Sequence, residues 1–215
     1  MLFSDESIAF LRGEISRFMS GYRLEHTLGV ERMAARLGEL FCPENIDILR
    51  VASLLHDITK ENTFEKQLQI CEKFGIIIPY SVKMSPKILH SITAAAIIPQ
   101  IFPQYAQKDV LSAVRWHTTG KEDMNIIEKI IYLADYIEDG RRFDDCVLLR
   151  NYFFSVDLEK MNVEERSKHL NETLVISFDM TIKQLLSEKM PVDAGTIAAR
   201  NYLLYCLSEQ EALKN

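Results

Sequence analysis

His56 and Asp57 stand side by side at the end of the apolar run Val51-Ala52-Ser53-Leu54-Leu55. His26, His90, His117 and Asp135 sit in similarly apolar surroundings elsewhere in the chain. Neutral imidazole nitrogens and carboxylate oxygens are the donors that hold a hard-to-borderline divalent metal. With coordination positions left for water, such a metal does hydrolytic chemistry. Singly, each histidine is more often a satisfied core residue than a ligand. Together, four inward histidines and two inward aspartates point to a metal site. The fifth histidine, His169, follows Arg166-Ser167-Lys168. That stretch reads as a solvated helix face, and His169 is given no role.

Basic residues fall close to this set. Arg23 lies one turn before His26, Lys60 follows Asp57 by three residues, and Arg141-Arg142 follows Asp135 past Gly140. Beside a metal they suit a phosphate ester, because guanidinium groups grip phosphate oxygens bidentately. Thr118-Thr119-Gly120 adds hydroxyls and backbone N–H groups. The chain has no P-loop lysine, no glycine-rich dinucleotide fingerprint and no GxSxG nucleophile elbow.

Adjacent residues on a helix point roughly 100° apart. His56 and Asp57 therefore reach one ion only where a helix ends, and Thr59-Lys60-Glu61-Asn62 suits such an ending. His26 and Asp135 would approach from two other helices. The first helix is expected over residues 5–19 and the second over 22–41, with an apolar stripe at helical spacing. A third is expected over 44–57 after Pro43, and a fourth from the Thr63 cap to Gly75. Residues 75–81 look extended. Ser85-Pro86 opens a helix to residue 98, and another covers 105–117. Asn125 with Glu128, and Asn162 with Glu165, have capping-box spacing and start helices to residues 138 and 189. Pro191 interrupts, and Asp193 caps a final helix to Leu213. The expected fold is all-α and one domain over residues 1–215: a core at 22–150 with a C-terminal helical layer over 155–213.

A chain of 215 residues with 47% hydrophobic and 26% charged residues is of ordinary globular composition. The net charge of −6 gives no broad basic surface, so nucleic acid is not an expected partner. The four cysteines are far apart and form no CxxC pair, as in a reduced protein. No secretory leader and no apolar span of about 20 residues is visible, so no membrane is expected and the location reads as cytoplasmic.

Five segments carry a family resemblance. They are Glu25-His26-Thr27-Leu28-Gly29-Val30, Leu54-Leu55-His56-Asp57, His90, Trp116-His117-Thr118-Thr119-Gly120, and Ile131-Tyr132-Leu133-Ala134-Asp135-Tyr136-Ile137-Glu138. They resemble the HD-domain hydrolases, and within them the YqeK group of bacterial symmetrical bis(5'-nucleosyl)-tetraphosphatases, which split diadenosine tetraphosphate into two ADP. The likeness runs over residues 22–150 and weakly through 191–204. It implies an HD-domain helical bundle with iron held by His26, His56, Asp57 and Asp135; Mn, Co and Zn are the alternatives. It implies a substrate site at Arg23, His26, Asp57, Lys60, His90, His117, Thr118, Thr119, Gly120, Asp135 and Arg141, with His90, His117 and Lys60 in catalytic roles. Ala199, Arg200 and Asn201 are carried over as nucleoside contacts. Many relatives have glycine where this chain has Ser91. One tight metal site is favoured, with a second, weak or absent, near His90 and His117; a homodimer is left open. The rival readings are an HD-type nucleotide phosphohydrolase or phosphodiesterase of other specificity, a di-iron oxygenase, and a nucleotide-binding regulatory module without turnover.

Overall fold

Side-chain caps set most helix starts in the computed structural model, which describes residues 2–212. Ser4 accepts from Ser7 N at the head of α1 (Asp5–Ile15), and Ser20 accepts from Arg23 N at the head of α2 (Gly21–Phe41). A 3-10 turn at Pro43–Asn45 leads into α3 (Ile46–Leu55). Thr63 caps α4 (Phe64–Lys73), and Gly75 then takes a positive φ of 63°. Residues 76–79 form no regular element, and α5 (Tyr80–Met84) is short. A 3-10 turn at Pro86–Ile88 precedes α6 (Leu89–Ile101), and Gln107 caps α7 (Lys108–Trp116). Both capping boxes form, at Asn125–Glu128 for α8 (Ile126–Ile137) and at Asn162–Glu165 for α10 (Val163–Ser187). Between them lies α9 (Asp144–Phe153). Asp193 Oδ1 accepts from Gly195 N at 2.8 Å and opens α11 (Ala194–Ala212). The described residues contain no strand.

Two expectations change, and one helix was not expected. The first helix stops at Ile15, four residues early, because Ser16 Oγ folds back onto the Gly13 carbonyl and the chain tightens into turns. α9 has no side-chain cap on Phe143 to announce it. His169 is buried rather than solvated: it donates from Nε2 to the Phe153 carbonyl at 3.0 Å and stacks on Tyr152 and Phe153. The expected end of the last helix, Leu213, lies outside the described residues.

The helices that carry the chemistry pack on each other. α2 lies against α3 and α8, while α7 lies against α3, α6 and α8. Val30, Leu37, Leu49, Leu54, Val114, Ile130 and Leu133 are fully buried between them. Burying each such side chain stabilises the fold by roughly 1.5–3 kcal/mol. One connected core runs from Phe3 to Leu203, so α10 and α11 share it with the N-terminal helices. Buried Glu31 accepts from Arg12 of α1 and from Arg50 of α3, which ties both helices to α2.

Candidate metal centre

The helix endings expected from the sequence bring the donors together. His56 is the C-cap of α3 and Asp57 begins the series of turns that follows. Lys60 N donates to the Asp57 carbonyl, and Thr59 Oγ1 donates to the His90 carbonyl at 2.8 Å, fixing that turn to α6. His90 lies in the first turn of α6, His117 caps α7, Asp135 lies in the last turn of α8 and His26 in the second turn of α2.

Each imidazole is aimed by its outer nitrogen. Nδ1 of His56, His90 and His117 lies 2.6–2.7 Å from the carbonyls of Ser53, Lys87 and Val114. A carbonyl only accepts, so each Nδ1 carries a proton and each ring turns its Nε2 inward. Nδ1 of His26 meets the Glu138 carboxylate at 3.1 Å instead. This is how metal-binding histidines are held: the second nitrogen donates to a carbonyl or carboxylate.

Two donor sets share one carboxylate. Asp57 Oδ2 lies 3.5 Å from His56 Nε2 and 3.9 Å from His26 Nε2. Asp135 Oδ1 lies 3.0 Å from His26 Nε2 and 3.9 Å from His56 Nε2. The other oxygen, Asp57 Oδ1, lies 3.1 Å from His90 Nε2 and 3.7 Å from His117 Nε2. The triads His26–His56–Asp57, His56–His117–Asp135 and Asp57–His90–His117 each have ligand atoms within 4.8 Å of one another. His26 Nε2, His56 Nε2 and Asp57 Oδ1 are buried and in no hydrogen bond of sound geometry, although Asp135 lies near the first. Buried polar atoms left without partners cost free energy. A divalent cation satisfies all three, so these residues fit a metal. The donors are nitrogen and oxygen, with no cysteine among these groups.

The charges follow from this crowding. Burial opposes a charge on His26, but Asp135 and Glu138 outweigh it and raise its pKa to about 8. Burial pushes His90 down to about 4, helped by Lys60 and His117, and pushes His117 down as well. Burial would raise Asp57 and Asp135; the facing imidazoles, and Arg141 beside Asp135, hold both well below the usual carboxylate range. Burial lowers Lys60 by more than Asp57 and Asp135 raise it.

The basic residues named from sequence are at the site, but two are already paired. Arg23 donates to Asp57 Oδ2 at 2.7 Å, and Arg141 donates to Asp135 Oδ1 at 2.6 Å and to the Asp135 carbonyl. Lys60 Nζ lies 3.2 Å from His90 Nε2, and Thr118 Oγ1 lies 3.4 Å from the same atom. Thr119 is turned to the Gly120 carbonyl. Gly120 has φ 65°, and a Cβ there would meet Phe178 at 2.7 Å and Ala199 at 2.9 Å. Of the three C-terminal candidates, Ala199 is buried against Gly120, Arg200 pairs with Asp179, and Asn201 is exposed near Tyr202 and Tyr205. Ser91 is buried and donates to the carbonyl of Ile88, the residue that caps the start of its helix. Glu138, the partner of His26, was missed. Its signal was its spacing, three residues beyond Asp135 at the cap of α8.

Two cavities share no lining residue; the first has a donor, His26, in its lining and the second has none. One, of about 630 Å³, is lined by residues including His26, Glu138, Arg141 and Arg142. The other, of about 460 Å³, is lined by residues including Arg115, Trp116, Thr119 and Lys121.

A family model for the HD domain matches residues 23–140, which include His26, His56, Asp57, His90, His117 and Asp135. The chain belongs to the HD-domain family of hydrolases. It is similar to curated relatives named symmetrical bis(5'-nucleosyl)-tetraphosphatase. The one from Halalkalibacterium halodurans is 31% identical over 86% of this chain and 91% of its own length. The one from Bacillus subtilis is 28% identical over 93% of this chain and 97% of its own. The crystal structure of an HD superfamily hydrolase from Clostridium acetobutylicum, described as involved in NAD metabolism, superposes with a TM-score of 0.78 at 31% identity, covering 93% of this chain and 97% of that one. The all-α HD architecture expected from the sequence is the one found. No helix among the described residues is long and apolar enough to cross a membrane.

Proposed function

We propose that this HD-domain protein hydrolyses diadenosine tetraphosphate symmetrically to two ADP, in the cytoplasm, with the whole chain acting as one domain. The observation that carries the reading is the cage of inward Nε2 atoms around Asp57, in a chain whose curated relatives bear that activity in their names. His26, His56, Asp57 and Asp135 would hold the principal metal, with iron the first choice and Mn, Co or Zn the alternatives. Asp57, His90 and His117 would hold a second, weaker one. When bound, such an ion supplies Lewis acidity at a phosphoryl oxygen and lowers the pKa of water from ~16 toward ~7.

The side chains do the rest. Glu138 and the three main-chain carbonyls keep the imidazoles oriented, so no reorganisation is needed when substrate arrives. Water attacks one of the two central phosphorus atoms. The P–O bond to the bridging oxygen between the central phosphates breaks, and the second ADP leaves with that electron pair. Lys60, at the edge of the cage, offsets the charge that grows on the leaving phosphate. Arg23 and Arg141 hold the two carboxylates in place and keep their remaining N–H groups for phosphate oxygens.

Product chromatography at early times, with each candidate metal, tests this. Diadenosine tetraphosphate should yield ADP alone. AMP plus ATP as first products would refute the symmetrical reading and leave a metal hydrolase of other regiochemistry.

A further inference from the structure

A substrate cut in its middle has two nucleoside ends, and both need a place. The larger cavity meets the centre through His26, Glu138 and Arg141, so anything seated in it is one residue away from the donors. Its size falls within the roughly 300–1,000 Å³ usual for small-molecule sites. Two large rings stand on its lining, Tyr22 at 73% and Phe143 at 62% exposure, and neither belongs to the core. Exposed rings beside a concave polar site are where ligands stack, and nucleobases stack on aromatic faces whatever their identity.

The cavity carries charges of both signs. Arg141 pairs with Asp135 of the cage, and exposed Arg142 and Arg32 are also on the lining. Exposed Glu25 faces the same space. A carboxylate repels phosphate but accepts hydrogen bonds from ribose hydroxyls and amino groups. Phosphates are therefore favoured near the arginines, and a neutral nucleoside near Glu25 and the rings.

We propose that the cavity lined by Tyr22, Glu25, Arg142 and Phe143 binds one nucleoside end of the dinucleotide, with its base against the two rings and Arg142 on the adjoining phosphate. This rests on the hydrolase reading above. The second end lies outside this cavity, because the phosphate chain must cross the metal cage between them. Neither ring is buried, so truncating them leaves the fold intact.

The test compares wild type with Tyr22→Ala/Phe143→Ala, both metal-loaded. KM for diadenosine tetraphosphate should rise roughly tenfold or more, with kcat and metal content unchanged. Tyr22→Phe and Phe143→Trp, which keep a ring, should keep the wild-type KM. Diguanosine tetraphosphate should lose affinity to the same degree, since stacking tolerates any base. An unchanged KM, or a fall in kcat and metal without a rise in KM, would overturn the subsite. If wild type does not cleave the dinucleotide, the hydrolase reading fails by itself. Calorimetric binding of diadenosine tetraphosphate then decides the subsite: weaker binding in the double variant supports it, and equal or undetectable binding in both proteins sinks it.

Discussion

The Nε2 atoms of His90 and His117 lie 2.9 Å apart, while each ring gives its Nδ1 proton to a main-chain carbonyl. Burial keeps both rings neutral, so two lone pairs face each other with Asp57 Oδ1 beside them. Lys60 Nζ, 3.2 Å from His90 Nε2, can donate to that one lone pair, which leaves His117 Nε2 and Asp57 Oδ1 for a cation to satisfy. Reconstituted wild type should therefore take up two metal equivalents per chain, and His117→Ala one. Asp57→Ala, which removes the oxygens facing both sets, should lose both equivalents and all turnover. Elemental analysis after gel filtration measures this; equal metal in wild type and His117→Ala would place no ion between these histidines.

Gly29 makes room for Glu138. A Cβ at Gly29 would collide with Glu138 Oε2, the carboxylate that orients His26. Gly29→Ala should lower metal affinity about 10–100-fold without unfolding the chain, because losing such an orienting partner costs that much. Competition with a chromophoric chelator reports the affinity, and far-UV circular dichroism reports the helices. Unchanged affinity would mean that Glu138 does not set the His26 ring.

In metal-free protein, a proton on His26 stands in for the metal. Its folded pKa of about 8 lies above the ordinary value of 6.5. The folded state therefore binds this proton more tightly than the unfolded state does. The resulting stability, on the order of 2 kcal/mol, is fully present below pH 6.5 and is lost as pH rises through 8. Metal affinity should move the opposite way over this window, since the proton must leave before the metal binds. Urea midpoints of chelator-treated protein at pH 6, 7 and 8.5, with and without Glu138→Gln, would show it. A midpoint that does not fall from pH 6 to 8.5 would contradict the assignment.

Arg141 holds Asp135 through both its side chain and its carbonyl, at a quarter exposure. Arg141→Ala should retain the metal held by His26, His56 and Asp57 but lower kcat/KM by about 2 kcal/mol, the worth of a charge-assisted contact. Arg141→Lys should restore part of this at most, because an ammonium cannot span both oxygens. Steady-state kinetics with parallel metal analysis checks it; metal loss in step with activity would make Arg141 a support for Asp135 alone.

The capping boxes at Asn125–Glu128 and Asn162–Glu165 were legible because their signal is local: two side chains and two N–H groups at fixed spacing. The candidate donors were legible as a set because ionisable groups in apolar runs need a partner, and the C-terminal position of His56 on α3 followed from the angle between neighbours. α9 was not, since Phe143 offers no capping oxygen. His169 misled because its neighbours are charged, while its own ring is turned inward onto Tyr152 and Phe153. The pairing of Arg23 and Arg141 with the cage carboxylates, and the aiming of three imidazoles by carbonyls, depend on rotamers and tertiary distance that spacing does not carry.

Gly120 closes the Thr118-Thr119 loop directly onto Phe178 of α10 and Ala199 of α11. The loop therefore keeps its shape only while the C-terminal helices stay docked, and the two share one local unfolding equilibrium. A ligand that orders the loop must then slow amide hydrogen exchange in α10 and α11, far along the chain from any residue it touches. Conversely, clipping the chain before Asp193 would release the loop and reach the chemistry at His117 through its own backbone.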